Sequence, residues 1–163
     1  MNIVFDTDIE ELIISFDMEK MERIILNLIS NAVKFRKENK GKIIISITHN
    51  DEFVNIRVKD NGIGIPTTVF KKFHEKIIET LHLDKEYKYI ESALKGDFRT
   101  ETKIEHRGTG LPDIFGISKR GNISNLTIIS NKAYYSKEQK SYDLETHLEG
   151  TILYWEINKS KGE

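Results

Sequence analysis

No cysteine occurs in the chain, which excludes a disulfide framework, a thiolate metal site and a cysteine nucleophile, and leaves nothing to argue for secretion. Long apolar runs are missing too. Stretches such as Ile43-Ile44-Ile45 are far too short to span a bilayer, and the acidic opening Asp6-Thr7-Asp8-Ile9-Glu10-Glu11 is no signal peptide. Nor does one sign of charge dominate: 25 Lys and Arg face 26 Asp and Glu for a formal charge of -1, which argues against a nucleic-acid groove working through bulk positive charge. Proline is scarce, with 2 in 163 residues, and neither an internal repeat nor a low-complexity segment is present. What is there is 38% hydrophobic and 31% charged, enough for one domain with a real core. The expectation is a single domain over 1–163, soluble and cytoplasmic, with no membrane segment of its own; a membrane anchor elsewhere in a parent chain stays open.

Apolar positions Met18, Met21, Ile25, Leu28, Ala32 and Phe35 recur in steps of three and four, predicting a helix from Asp17, its N-cap, to about Glu38, with Asn39-Lys40-Gly41 as a stop. Asn2 to Asp6 and Leu12 to Phe16 read as short strands ahead of it. Lys42 to His49 and Phe53 to Asp60 read as an antiparallel hairpin around Asn50-Asp51-Glu52, and Val54, Ile56 and Val58 alternate with polar partners as one buried face. Val69, Phe70, Phe73, Ile77 and Leu81 fit a further helix, Tyr87, Ile90 and Leu94 a weaker one, and Leu111 to Arg120 another that Pro112 opens. Leu126 to Ser130, Lys132 to Ser136 and Thr151 to Ile157 read as strands. The order predicts an α+β two-layer sandwich, a mixed and mostly antiparallel sheet with helices on one face.

Three constellations could carry chemistry. Asn27, Asn31 and Lys34, spaced by four and three, share one helical stripe inside an apolar run, where a plain solvated face would hold more charge. A half-buried amide there needs partners for both its carbonyl and its NH₂, and a ligand or metal could supply them. Asp60-Asn61-Gly62-Ile63-Gly64-Ile65-Pro66 ends a strand in a sharp turn, and its carboxylate needs donors such as an adenine amino group; an ordinary Asn-Gly turn is the plainer alternative. Gly108-Thr109-Gly110-Leu111-Pro112 places glycines before a helix start, where free N–H groups favour phosphate. The P-loop and dinucleotide fingerprints are both lacking.

In this order and spacing the residues resemble the ATP-binding catalytic domain of histidine protein kinases, a branch of the GHKL superfamily with the Bergerat fold. Glu22 to Phe35 resembles the family's N box, Asp60 to Ile65 its first glycine box, Gly108 to Leu111 its second, and Gly150-Thr151 the pair opening the last strand. Phe70 to Phe73 is loosely similar to the phenylalanine box. The resemblance implies that Asp60 accepts the adenine amino hydrogen, Phe35 packs on the base, Asn31 ligates Mg²⁺ with Asn27 in support, and Lys34 approaches the phosphates. Asn27, Asn31 and Lys34 would then be the catalytic set. Gly62, Ile63, Gly64, Ile65, Arg107, Gly108, Thr109, Gly110 and Leu111 would shape the pocket, with Thr151 near adenine directly or through water. Residues from about 79 to 107 would form an ATP lid, with Lys95, Arg99, Lys103 and Arg107 its candidates for phosphate.

The pattern departs from the family in having Pro112-Asp113 after the second glycine box and in its long lid. Met1 opens directly on the domain, so the expected phosphoacceptor dimerisation domain lies upstream in a parent or on a separate chain, with a response regulator downstream in a two-component phosphorelay. His49, His74, His82, His106 and His147 read as surface or lid residues. Two alternatives stand beside the kinase: a stand-alone anti-sigma-like serine kinase, and a non-catalytic nucleotide-dependent interaction module. A clamp ATPase of the gyrase kind would place its glutamate where Asn27 stands, and an amide cannot act as general base.

Overall fold

In the computed structural model residues 1–35, 41–76, 83–98 and 110–159 are described, the side chains of 72–76 excepted. Strand β1 (Asn2–Asp6) is followed by helix α1 (Met18–Lys34), the hairpin β2 (Lys42–His49) and β3 (Phe53–Asp60), helices α2 (Ile65–Lys76), α3 (Glu86–Lys95) and α4 (Gly110–Lys119), and the long strands β4 (Ser124–Ser136) and β5 (Tyr142–Asn158). They form one five-stranded sheet in the order β1-β2-β3-β5-β4, with β1 parallel to β2 and the other pairs antiparallel. This is the expected α+β architecture.

Period-2 alternation decides which face is covered. Paired residues on neighbouring strands point to the same side, so Ile45, Val58, Leu153 and Ile128 make one row across β2, β3, β5 and β4. Those four side chains are buried, together with Ile24 and Leu28 of α1, Ile90 and Leu94 of α3, and Ile114 and Ile117 of α4. The helices cover that face. One row over, Asp60 pairs with Thr151 and Thr151 with Ser130, so the same face ends in a polar row.

α1 starts where the sequence says it should: Asp17 accepts the Lys20 N–H at 3.0 Å as N-cap. The stop expected at Asn39-Lys40-Gly41 differs, because the helix closes at Lys34 with the Phe35 N–H bonded to the Asn31 carbonyl. Leu12 to Phe16 are a correction. No ladder pairs them among the described residues, yet Leu12 and Ile14 pack on the core while Ile13 is 89% exposed. Their alternation reports real one-sided burial of an extended segment without a strand partner. A second correction joins the runs at 126–130 and 132–136 into one strand, kinked at Asn131, where φ is 56° and the register to β5 shifts. The final strand also starts earlier, at Tyr142 rather than Thr151.

The stretch expected as a lid, 79–107, divides. Helix α3 lies inside it, ended by Gly96 in the left-handed region at φ 87°, and its Ile90 and Leu94 are 0% and 1% exposed in the main core. Helix α3 is thus a structural element. The weaker helix read from Tyr87, Ile90 and Leu94 is there, anchored by the buried apolar side chains of Ile90, Ala93 and Leu94. Residues 79–82 and 99–107, including Arg99, Lys103 and Arg107, lie outside the described residues.

Candidate functional site

The second half of α1 is the wall that the site shares. Its Asn27 is half-buried and Asn31 exposed, and both face the first turn of α4: a Cβ built on Gly110 would stand 3.0 Å from the Asn27 Cβ and 3.6 Å from the Asn31 amide nitrogen. A side chain there would press on α1, which would have to give by a few tenths of an ångström. One turn back along α1, Arg23 Nη2 reaches Asp113 Oδ2 at 2.9 Å, an ion pair off the line of a hydrogen bond that ties the same two helices. Sequence reading singled out Asp113 as a departure and missed this pairing. Leu111 is half-buried and packs on the core from the same turn.

At the end of α1 the first glycine turn docks onto backbone. The Ile63 N–H donates to the Phe35 carbonyl at 3.2 Å, and a Cβ on Gly62 would stand 2.8 Å from that oxygen. Lys34 is exposed, its ammonium 5.5 Å from the centre of the Phe35 ring. Phe35, Gly62 and Ile63 are thus brought together with the α1 stripe.

Asp60 sits in the polar row at the end of β3. Its Oδ1 accepts the Gly62 N–H at 2.7 Å. Burial raises the carboxyl above its ordinary pKa, against the pull of the Gly62 and Thr151 backbone N–H groups. Gly150, at φ 85°, passes so close that a Cβ would fall 2.1 Å from the Asp60 carbonyl oxygen, so the chain can cross here only as glycine. Next in the row, Thr151 Oγ1 lies 2.9 Å from Ser130 Oγ, both hydroxyls being buried. Ser130 accepts the Ile65 N–H at 2.8 Å and reaches the Gly150 carbonyl at 3.0 Å. It bolts the start of α2 to the glycine-threonine pair.

The structure therefore gathers Asn27, Asn31, Phe35, Asp60, Gly62, Ile63, Gly64, Ile65, Gly110, Leu111 and Thr151 at one end of the sheet. Arg107, Gly108 and Thr109 lie outside the described residues, as do His82, His106 and the side chains of Phe73 and His74. Ser130 and Asn131 were missed, although the break between two β-runs at an asparagine, a residue tolerant of left-handed backbone, was their signal. Among the described residues no group of three or more His, Asp or Glu could hold a metal alone.

Residues 16–126 match the family described as Histidine kinase-, DNA gyrase B-, and HSP90-like ATPase. The chain belongs to this ATPase family. Its ATPase-family relatives include the adaptive-response sensory kinase SasA of Prochlorococcus marinus (strain MIT 9215), 40% identical over 74 residues that make 44% of this chain and 20% of that protein. Sensor histidine kinase WalK of Bacillus subtilis is 38% identical over 74 residues, 44% of this chain and 11% of WalK. Histidine kinase P4 of Formosa agariphila is 33% identical over 75 residues, 44% of this chain and 5% of that protein. The match accounts for a fifth or less of each relative's length. Among solved structures, the catalytic domain of histidine kinase ThkA superposes with a TM-score of 0.57 at 21% identity, covering 97% of this chain and 78% of that one. Mycobacterial sensor histidine kinase MprB gives 0.54 at 16%, covering 96% and 81%. The fold of this ATPase-family member is that of histidine kinase catalytic domains.

Proposed function

We propose that this domain binds ATP with Mg²⁺ and presents the γ-phosphoryl group to a histidine on a phosphoacceptor dimerisation domain, which then passes it to a response regulator. The observation that carries the reading is the shared wall: α1 holds the adenine-side turn at Phe35 and the phosphate-side helix start at Asn27 and Asn31. Phosphoryl transfer asks a protein for positioning and charge neutralisation more than for covalent help. The donor set fits. Asp60 offers a half-buried acceptor to an adenine amino group, and the close approaches at Gly62 and Gly110 keep the walls free of Cβ atoms. The Asn31 amide oxygen would hold the metal, with Asn27 beside it, since Mg²⁺ keeps several waters and takes few protein ligands. When bound, the metal supplies neutralisation of phosphate charge. Lys34 is free to turn from Phe35 toward phosphate. The cation–π contact it would give up is worth about 0.5–1 kcal/mol at an exposed site.

In this reading the domain works in the cytoplasm. No described helix is long and apolar enough to cross a membrane. The test is transfer from radiolabelled ATP to a supplied histidine-bearing dimerisation domain. Asn31→Ala should cut Mg²⁺-dependent transfer at least about tenfold, the loss of one charge-assisted contact, while lowering metal-free nucleotide binding less. Transfer at the wild-type rate would remove Asn31 from the metal site. Rapid phosphate release by the domain alone, without an acceptor, would overturn the kinase reading.

A further inference from the structure

Asn131 lies outside the glycine boxes and the α1 stripe, yet its side chain is closely engaged with the first glycine turn. It is 3% exposed and holds left-handed backbone at φ 56°, in the middle of the kink of β4. Side chains other than Asn, Asp and Gly avoid that region. Its Nδ2 donates to the Ile63 carbonyl at 3.1 Å, and its Oδ1 accepts from the Thr67 N–H at 3.2 Å and the Thr67 hydroxyl at 3.1 Å. A carbonyl can only accept and an N–H can only donate, so these two backbone groups fix which end of the amide is which. The remaining contact of Nδ2, to His147 Nε2 at 3.1 Å, then requires that nitrogen to be the acceptor.

The amide thus grips the turn on both sides of Gly64, at the carbonyl before it and the N–H three residues after it. It also fills the space above Gly64 itself: a Cβ there would stand 2.3 Å from Asn131 Oδ1 and 2.6 Å from Cγ, and Gly64 has φ 83°. Gly64 and Asn131 are two halves of one fitting. What the fitting holds matters, because the neighbouring Gly62 N–H is a donor to Asp60 and Ile63 is seated on Phe35.

We propose that Asn131 is a positioning residue for nucleotide binding: by clamping Ile63 and Thr67 around Gly64 it sets the turn that orients the Asp60 carboxylate. This rests on the nucleotide reading of the pocket. Asn131 itself stands behind the turn and acts through it.

The experiment compares wild type, Asn131→Gly, Asn131→Asp and Asp60→Asn by calorimetric titration with ATP, together with ¹⁵N spectra of the nucleotide-free proteins. Glycine keeps the left-handed backbone while deleting the amide; aspartate keeps the acceptor for Thr67 but has no donor for the Ile63 carbonyl. Both Asn131 variants should bind ATP about tenfold more weakly, the weakening expected when the one ligand hydrogen bond to a misoriented Asp60 carboxylate is lost. Their spectra should show displaced Gly62 and Gly64 amides, with the Ile128 amide and the Trp155 indole in place. Wild-type affinity in Asn131→Gly alongside a loss in Asp60→Asn would overturn the positioning role and leave the pocket standing. Resonances displaced throughout the sheet would also overturn it, in favour of a general structural part. If Asn131→Gly does not fold, Asn131→Asp gives the same readings. No ATP binding by wild type would fell the pocket reading and this role with it.

Discussion

The two ends of the sheet are built on different principles. At the end where β2 turns into β3, Asn50 makes its own turn: its Oδ1 accepts from the N–H groups of Glu52 at 3.0 Å and Phe53 at 2.7 Å, two and three residues away. Beside it a cavity of about 440 Å³ lies between the start of α1 and the end of α4, lined by Lys20, Met21, Ile24, Ile117, Arg120 and Ile157. Gly121 there ends a helix in the ordinary way, and Asn125 holds left-handed backbone at φ 51° at the start of β4. At the opposite end the turn from Asp60 to Gly62 is local, but the side chains that hold it in place come from far along the chain. Ser130 reaches Ile65 and Asn131 reaches Thr67 across more than sixty residues, and Gly64 and Gly150 leave space for a side chain and a carbonyl. Close approach and buried polar groups are costs that a fold concentrates where it has work to do.

The sharpest break in that contrast should come from Gly150→Ala, where a methyl group meets the Asp60 carbonyl and the backbone is already left-handed. A loss of more than about 3 kcal/mol is expected in urea unfolding. A smaller loss would mean that β3 and β5 can separate at the polar row. Asp60→Asn should divide function from stability. ATP binding is expected to weaken by about 1.5–3 kcal/mol in calorimetry. Because burial raises the folded-state pKa, ionised Asp60 weighs against folding at neutral pH, and that cost fades as pH falls through the raised value. The variant should therefore melt no lower than wild type at pH 7, and wild type should gain on it as the pH is lowered. At the far end Asn50→Ala should cost about 1 kcal/mol of stability and leave ATP affinity unchanged; a change in affinity would show the two ends to be coupled. The smallest effect has the opposite sign. Gly116 lies inside α4 with only Arg120 Nη1 at 3.6 Å from a built Cβ, so Gly116→Ala should stabilise by about 0.5–1 kcal/mol in the same unfolding assay.

The same contrast governs what could be read from the sequence. Hairpin β2–β3, the Asp17 cap and the α1 stripe depend on neighbours within a few positions, and each was legible. So were Asp60 and the glycines near it, since their turn is also local. Ser130 and Asn131 have partners set by topology, and no spacing along the chain announces a hydroxyl that will meet an amide from another element. Leu12 to Phe16 show the converse error: alternation reports which side chains go inward, and a strand needs a hydrogen-bonding neighbour besides. The segment 86–95 was legible as a helix but not as core, because Ser92 and Ala93 are buried beside Ile90 and Leu94 without an apolar period that announces it.

Helix α3 begins at Lys85, which offers no side-chain cap; the N–H groups of Glu86 and Tyr87 are taken instead by the carboxylate of Asp143 on β5, at 3.2 and 3.0 Å. The cap stands 57 residues downstream of the first N–H it receives. On a ribosome adding about 5–20 residues per second, Glu86 is added roughly 3–11 s before the residue that completes the cap. For that interval its first turn has only water or a chaperone to satisfy it. A ten-residue helix is marginal alone, so this part of the domain is written early and capped only once β5 has been made.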